Sequence, residues 1–275
     1  MTTNAIMTVW NVELGLAVHI KAPNDRFIVI DLGSKQNFSP LKQLEGCDVG
    51  YMVITHPHLD HISDISNIQL AEPKILQRCL AYSRSELLAD VRECDRKTFI
   101  QYCDFVERYT GNVSESESPQ SGIPFGGLTT KVFRTNACDK KNKNNFSSIV
   151  VLEYCQKKIV VCGDNETESF QELMKQQDFR QKISRADILV APHHGRESAY
   201  CEEFVKLVAP KLTIISDTAK SETSAVDKYT KASSGLNVFN CSKHAPECRY
   251  CLTTRNDGNI QIYFGQNELA VLTHK

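Results

Sequence analysis

Residues 51–61 read Tyr-Met-Val-Ile-Thr-His-Pro-His-Leu-Asp-His. The first half is a short apolar, β-rich run, the pattern of a buried strand. The second half places His56, His58, Asp60 and His61 within six residues at the mouth of that strand. Imidazole and carboxylate together suit zinc, manganese or iron. Two such ions about 3.5–4 Å apart can hold a hydroxide between them and clamp a scissile ester or phosphate. The competing reading is a polar turn that happens to contain three histidines.

Upstream, residues 7–12, 17–23 and 27–33 are short β-branched runs punctuated by Gly15, Pro23-Asn24-Asp25 and Gly33-Ser34. Downstream, 62–70 and 84–109 carry helical spacing, and 110–127 is a polar Ser/Gly/Pro loop. Strand patterns return at 128–135, 147–154 and 158–164, the last two as a hairpin turning at Gln156-Lys157. Asn165 and Glu168 have the spacing of a helix capping box. A buried strand over 186–195 ends in His193-His194. A helix (198–208), a strand (212–217), a helix (223–233) and strands at 236–241, 250–255 and 259–264 complete the chain. Strand-rich stretches in both halves, interleaved with helices, predict an α/β fold of two sheets sandwiched between helices, in one domain over 1–275.

The 275 residues suffice for a sizeable core. With 32 basic and 33 acidic residues the net charge is −1, so any nucleic-acid-binding surface has to be local. Lys140, Lys141 and Lys143 lie in one polar loop ahead of the strand leading to Asp164. Arg185 and Arg196 flank the His193-His194 strand. These are candidates for phosphate contact, against the alternative of ordinary solvated side chains. No stretch approaches 18 apolar residues, and the opening residues lack a basic segment followed by an apolar run. A cytoplasmic chain away from membranes is expected, with its 11 cysteines mostly reduced. Cys241, His244, Cys248 and Cys251 are either a structural zinc site or a reduced cysteine cluster.

The stretch from His56 to His61 resembles the HxHxDH signature of the metallo-β-lactamase superfamily. Four further segments resemble its ComEC-like competence-protein branch, in the right order: 9–34, 147–164, 191–198 (Ala-Pro-His-His-Gly-Arg-Glu-Ser) and 251–264. The resemblance implies a four-layer αββα metallo-β-lactamase sandwich. It implies two divalent metal ions, zinc or manganese with magnesium as a further option. His56 and His58 would bind one, Asp60 and His61 the other, and Asp164 would bridge them. His193 or His194, with His194 favoured, would complete the second site. A hydroxide between the metals would be the nucleophile, making Asp60, His61 and Asp164 the catalytic set.

The sequence also departs from the family. Where many members have a further histidine, residues 144–147 read Asn-Asn-Phe-Ser. That implies one exchangeable metal and favours Mn²⁺ or Mg²⁺. The branch's later Gly-His-Pro is absent, and Asp217 is either a substitute ligand or a turn residue. The function expected is a metal-dependent phosphodiesterase, a nuclease acting on DNA with an NTPase or other protein partner, in prokaryotic defence or DNA processing. The alternatives are a lactone, lactam or thioester hydrolase, and a non-catalytic binding subunit.

Overall fold

A computed structural model of the chain describes residues 4–218 and 225–275. The strands in chain order are β1 (Ala5–Val9), β2 (Val18–Lys21), β3 (Phe27–Ile30), β4 (Val49–Val53), β5 (Ile75–Gln77), β6 (Thr129–Phe133), β7 (Ile149–Tyr154), β8 (Lys157–Val161), β9 (Ile188–Val190), β10 (Leu212–Ile215), β11 (Leu236–Asn240), β12 (Ala245–Arg249), β13 (Cys251–Thr253), β14 (Asn259–Phe264) and β15 (Leu269–His274). Among the described residues they form two sheets. One has the order β12-β11-β15-β14-β1-β2-β3-β4-β5, the other β13-β10-β9-β8-β7-β6.

Alternation along the strands builds the layers. Val18, Ile20, Ile28, Ile30 and Val53 point between the sheets and meet Val150, Leu152, Val161, Val190 and Ile214. Val29 and Met52 point outward, onto Leu41, Phe99, Tyr102 and Phe105. Ile149, Val151, Val160 and Leu189 lie beneath Phe170, Phe179, Phe204 and Tyr229. The product is a helix–sheet–sheet–helix sandwich, the αββα arrangement the sequence implies. No helix among the described residues is long and apolar enough to cross a membrane. All eleven cysteines are free thiols.

Parallel pairing, near one edge of the nine-stranded sheet and in the middle of the six-stranded one, positions the site. β3 pairs parallel with β4, and β8, β9 and β10 run parallel to one another. Their carboxyl ends open onto a shared edge, the usual place for a site in such sheets. The segments leaving β4, β8, β9 and β10 carry His56–His61, Asp164, His193-His194 and Ser216-Asp217.

Several elements differ from the sequence expectation. The helix expected over 84–109 is two helices, α2 (Arg84–Ala89) and α3 (Glu93–Val106), after a single turn α1 (Leu59–Ile62). The expected 62–70 helix is a 3₁₀ segment, Ile65–Leu70. The β7–β8 hairpin turns at Cys155-Gln156, one residue early, with both residues at positive φ (48° and 63°). That pair of left-handed residues matches the strand twist. Asn165 does not cap a helix. The next helix, α4 (Thr167–Leu173), has Glu166 at its N-cap, while Asn165 Nδ2 donates to the buried carbonyls of Ser147 and Cys162. The 223–233 helix is seen at Val226–Ala232; residues 223 and 224 lie outside the described residues. Strands β5, β12 and β15 were not expected.

Candidate metal centre

The chain leaves β4 through Thr55 and His56, and Pro57 biases His56 away from helical geometry. His58 remains extended (φ −89°, ψ 153°) and precedes the turn α1, which carries Asp60 and His61. Two backbone hydrogen bonds pin α1 to the end of β3: Leu32 N–H donates to the His61 carbonyl, and Asp64 N–H to the Leu32 carbonyl, each at 2.8 Å. Gly15 lies against the same turn at φ +105°. A Cβ there would sit 2.0 Å from the Asp60 carbonyl oxygen, so only glycine fits.

Asp164 occupies the middle of the cluster. One carboxylate oxygen, Oδ1, is 3.1 Å from His61 Nε2; the other, Oδ2, is 3.6 Å from both His56 Nε2 and His194 Nε2. Asp60 Oδ2 lies 3.3 Å from His194 Nε2 and 3.9 Å from His61 Nε2. The ring centroids of His56 and His58 are 4.5 Å apart. Two groups share Asp164: Asp60, His61, Asp164 and His194 on one side, and His56, His58 and Asp164 on the other. Within each group the donor atoms all lie within 4.8 Å of one another. His193 stands outside both groups. Its Nδ1 faces Glu166 Oε1 at 2.9 Å and its Nε2 faces Arg196 Nη1 at 2.9 Å.

Each buried imidazole is fixed through Nδ1. His61 Nδ1 faces Asp31 Oδ2 at 2.7 Å, His194 Nδ1 faces the Ser216 carbonyl at 2.9 Å, and His56 Nδ1 faces Thr55 Oγ1 at 3.2 Å. A carboxylate and a carbonyl can only accept, so His61 and His194 donate from Nδ1. Thr55 Oγ1 spends its own proton on Asp31 Oδ2 at 2.7 Å, so His56 Nδ1 donates as well. Nε2 of all three rings therefore points inward. There it is buried without a hydrogen-bond partner; even the 3.1 Å approach of His61 to Asp164 is off the axis of a hydrogen bond. Orphaned nitrogens converging on a carboxylate are what a divalent cation satisfies, and outer hydrogen bonds of this kind set ligand orientation. The residues present fit a metal.

Electrostatics agree with that fit. Burial alone would raise the Asp164 carboxyl, yet the fields of His61, His194 and His56 hold it well below the usual carboxylate range. Asp60 is likewise lowered: burial opposes, but the field of His61 and the close approach of His194 Nε2 prevail. Burial would lower His61, but Asp164, Asp31 and Asp60 push it well above the ordinary imidazole value. His194 rises to about 9 against burial, mainly through Asp164. Burial, then His61, drives His56 well below its usual value. Anionic carboxylates with imidazoles in their field are a donor set poised to exchange protons for a cation.

The cluster opens onto a cleft of about 450 Å³ that is also lined by Leu14, Ser34, Asn144 and Arg196. Lys143 stands close enough to His58 to contribute to lowering its pKa, after burial and the neighbouring charges. Lys140 and Lys143 both lie 5.9 Å from the Tyr82 ring centroid, and Lys140 also faces Glu86 at 3.8 Å. Lys141 is exposed in the same loop. Arg185 precedes β9 and sits at the opposite end of the strand from the cluster, a correction to its expected place beside His193-His194. Asp217 is outside both groups, its carboxylate held by the Arg255 backbone N–H (3.2 Å) and guanidinium (3.3 Å). Cys241 and Cys248 do not converge. Cys248 pairs with Asn237 while Cys241 follows Asn240, roughly 13 Å along the hairpin at about 3.3 Å per residue.

Sequence reasoning passed over Asp31, Ser147, Glu166 and Ser216. Asp31 has φ +60° and no exposure, and it accepts from Thr55 N–H at 2.7 Å besides its side-chain partners. Asp164 N–H donates to Ser147 Oγ at 3.1 Å. The one available signal was Asp31 itself, a carboxylate ending an otherwise apolar strand.

A family model described as the metallo-beta-lactamase superfamily matches residues 11–90. ComE operon protein 3 of Bacillus subtilis (strain 168) is 27% identical over 176 residues, 64% of this chain and 20% of that protein. The match thus spans about a fifth of that relative's length. Among solved structures, a CmlA beta-hydroxylase mutant superposes with a TM-score of 0.53 at 11% identity, over 95% of this chain and 54% of that one. The metallo-beta-lactamase fold protein YhfI from Bacillus subtilis gives 0.49 at 11% identity, over 93% and 99%.

Proposed function

We propose that this chain, whose residues 11–90 match the metallo-beta-lactamase superfamily model and whose His/Asp groups could hold metal, is a metal-dependent hydrolase, specifically a dinuclear phosphodiesterase, a nuclease acting on DNA. The observation that carries this reading is Asp164, which both groups share: Oδ1 lies 3.1 Å from His61 Nε2 and Oδ2 lies 3.6 Å from both His56 Nε2 and His194 Nε2, in a cleft also lined by the Arg196 side chain. Asp60, His61, Asp164 and His194 would hold one divalent ion and His56, His58 and Asp164 another (Mn²⁺ or Zn²⁺, with Mg²⁺ as an option), and such ions would supply Lewis acidity and water activation.

The chain's own residues do the rest. Asp31, Thr55 and Ser216 hold the imidazoles with Nε2 inward, so no reorganisation is needed when ligands are engaged. Arg196, whose Nη1 is held by His193, would offer the remainder of its guanidinium to phosphate oxygens. Lys143, backed by Lys140 and Lys141, supplies a sequence-independent attraction for a polyanion. With a near-zero net charge, any such attraction has to be local. A protein partner of the NTPase type and a cytoplasmic setting belong to the same proposal.

The test is to incubate metal-stripped protein with single- and double-stranded DNA, adding Mn²⁺, Mg²⁺ or Zn²⁺ in turn, beside an Asp60→Ala/His61→Ala control. Metal-dependent cleavage absent from the control supports the proposal. Turnover of lactones or thioesters with no cleavage of DNA or of a simple phosphodiester would replace it with a small-molecule hydrolase.

A further inference from the structure

The two half-sites are unequal in protein donors. Asp60, His61, Asp164 and His194 give four side chains on one side; His56, His58 and Asp164 give three on the other. The residue that evens the count is Asn144. It lines the cleft together with His58 and Asp164. It belongs to the 3₁₀ turn Lys143–Phe146, which leads straight into Ser147, the acceptor for Asp164 N–H. Asn144 Nδ2 donates to Glu166 Oε1 at 3.2 Å. Glu166 accepts from Asn142 and faces His193 as well, and a carboxylate has no proton to offer. The amide therefore cannot be turned round: nitrogen faces Glu166, and Oδ1 faces the other way. That oxygen is buried and has no hydrogen-bond partner. A buried carbonyl oxygen without a donor is uncommon in a folded protein and asks for an unseen partner.

We propose that Asn144 Oδ1 is the fourth protein ligand of the His56/His58/Asp164 half-site. Each half-site then offers two imidazoles and two oxygens. A carboxamide oxygen is a harder donor than a third imidazole, so both positions accept Mn²⁺ as well as Zn²⁺, and neither is specialised for zinc. Glu166 is the positioning residue that orients the amide. The proposal rests on the two-ion reading of the cluster but not on any substrate.

The test measures metal binding alone. Metal-stripped full-length chain is titrated with Mn²⁺ and with Zn²⁺ by calorimetry, using a competing chelator where binding is tight. Asn144→Leu is expected to weaken one class of site at least tenfold, the lower end of what losing an outer-shell partner does, while the other class is unchanged. Asn144→Asp, which keeps an oxygen but loses the donor to Glu166, should restore that class. Asn144→His should restore it with a Zn²⁺-to-Mn²⁺ affinity ratio raised at least tenfold. Wild-type affinities in Asn144→Leu overturn the proposal. So does equal weakening in all three variants, which would mean the amide merely props Glu166. If Asn144→Leu does not fold, the Asn144→His ratio decides: a raised ratio supports ligation and an unchanged one overturns it. With no nucleic acid present, failure here is separate from failure of the nuclease assay.

Discussion

Asp31→Asn separates orientation of a ligand from its presence. Asp31 is fully buried and accepts three hydrogen bonds at 2.7 Å, from Thr55 N–H, Thr55 Oγ1 and His61 Nδ1. Truncation to alanine would strand three buried donors at about 1–3 kcal/mol each, a large share of a typical stability of roughly 5–15 kcal/mol. Asparagine avoids that. It is isosteric, and it tolerates the φ of +60° better than most residues. Its oxygen can still take the Thr55 N–H, which leaves Nδ2 facing Thr55 Oγ1 and His61 Nδ1. Two donors cannot face each other, so His61 is driven to the tautomer with its proton on Nε2, the atom aimed at Asp164. The ligand is then present but blocked. Outer-shell losses of this kind reduce metal affinity about ten- to a hundredfold, roughly 1.4–2.8 kcal/mol. Calorimetric titration of the metal-stripped variant should show this loss only in the class containing Asp60, His61, Asp164 and His194, with unfolding of the metal-free form little changed. Wild-type affinity in both classes would refute the tautomer argument.

His19 gives a pH prediction remote from the cluster. Burial lowers its pKa to about 3 from an ordinary 6.5, and neither ring nitrogen has a hydrogen-bond partner. Its folded pKa lies below the unfolded one, so its contribution is complete above about pH 6.5 and fades as pH falls, at about 1.4 kcal/mol per unit. Denaturant unfolding at pH 7 and pH 5 should show the wild type losing roughly 2 kcal/mol more than His19→Phe; parallel losses would count against it. Arg196→Ala and Lys143→Ala should each weaken single-stranded DNA binding and flatten the salt dependence by about 0.7 for each phosphate no longer neutralised, read by anisotropy at several salt concentrations. Unchanged slopes would remove those residues from the binding surface. Chelation should lower the unfolding midpoint of the metal-loaded wild type, by about 2.7 kcal/mol of linkage if metal was at a hundred times its Kd. The Asp60→Ala/His61→Ala variant should not respond.

The layers were legible because strand alternation is a local property. Val18, Ile20, Ile28 and Ile30 face the other sheet while His19 and Val29 face away, as a period of two requires. Four of the six clustered side chains, His56, His58, Asp60 and His61, were legible for a related reason, since groups within six residues need no tertiary knowledge to be seen together. What stayed hidden is pairing between distant segments. β5, β12 and β15 carry only weak patterns of their own and are strands because β4, β11 and β14 offer them partners. Asn165 and Glu168 have the spacing of a cap, but Asn165 is drawn off by the Ser147 and Cys162 carbonyls, and Glu168 by Asn145 at 2.8 Å.

The same distinction explains how the site is made. Every inward Nε2 depends on an acceptor elsewhere in sequence or at a strand end: Asp31 after β3 for His61, Ser216 after β10 for His194, and Thr55 leaning on Asp31 for His56. Asp31 stabilises two of the three, and Ser216 Oγ donates to the Gly15 carbonyl at 2.7 Å, joining the second sheet to the hairpin that packs on Asp60. The His56–His61 stretch thus supplies candidate ligand atoms, while their direction is fixed by the edge where the two sheets meet. A Cβ at residue 15 tests that separation, because it alters no ligand and no anchor. With the backbone unmoved it would lie 2.0 Å from the Asp60 carbonyl oxygen, so the contact between the residue-15 turn and α1 has to open. Gly15→Ala should therefore reduce metal affinity in the class containing Asp60 and His61 while leaving the His56/His58 class largely intact. Equal loss in both classes would mean that the cluster moves as one body and that its direction is set within the motif itself.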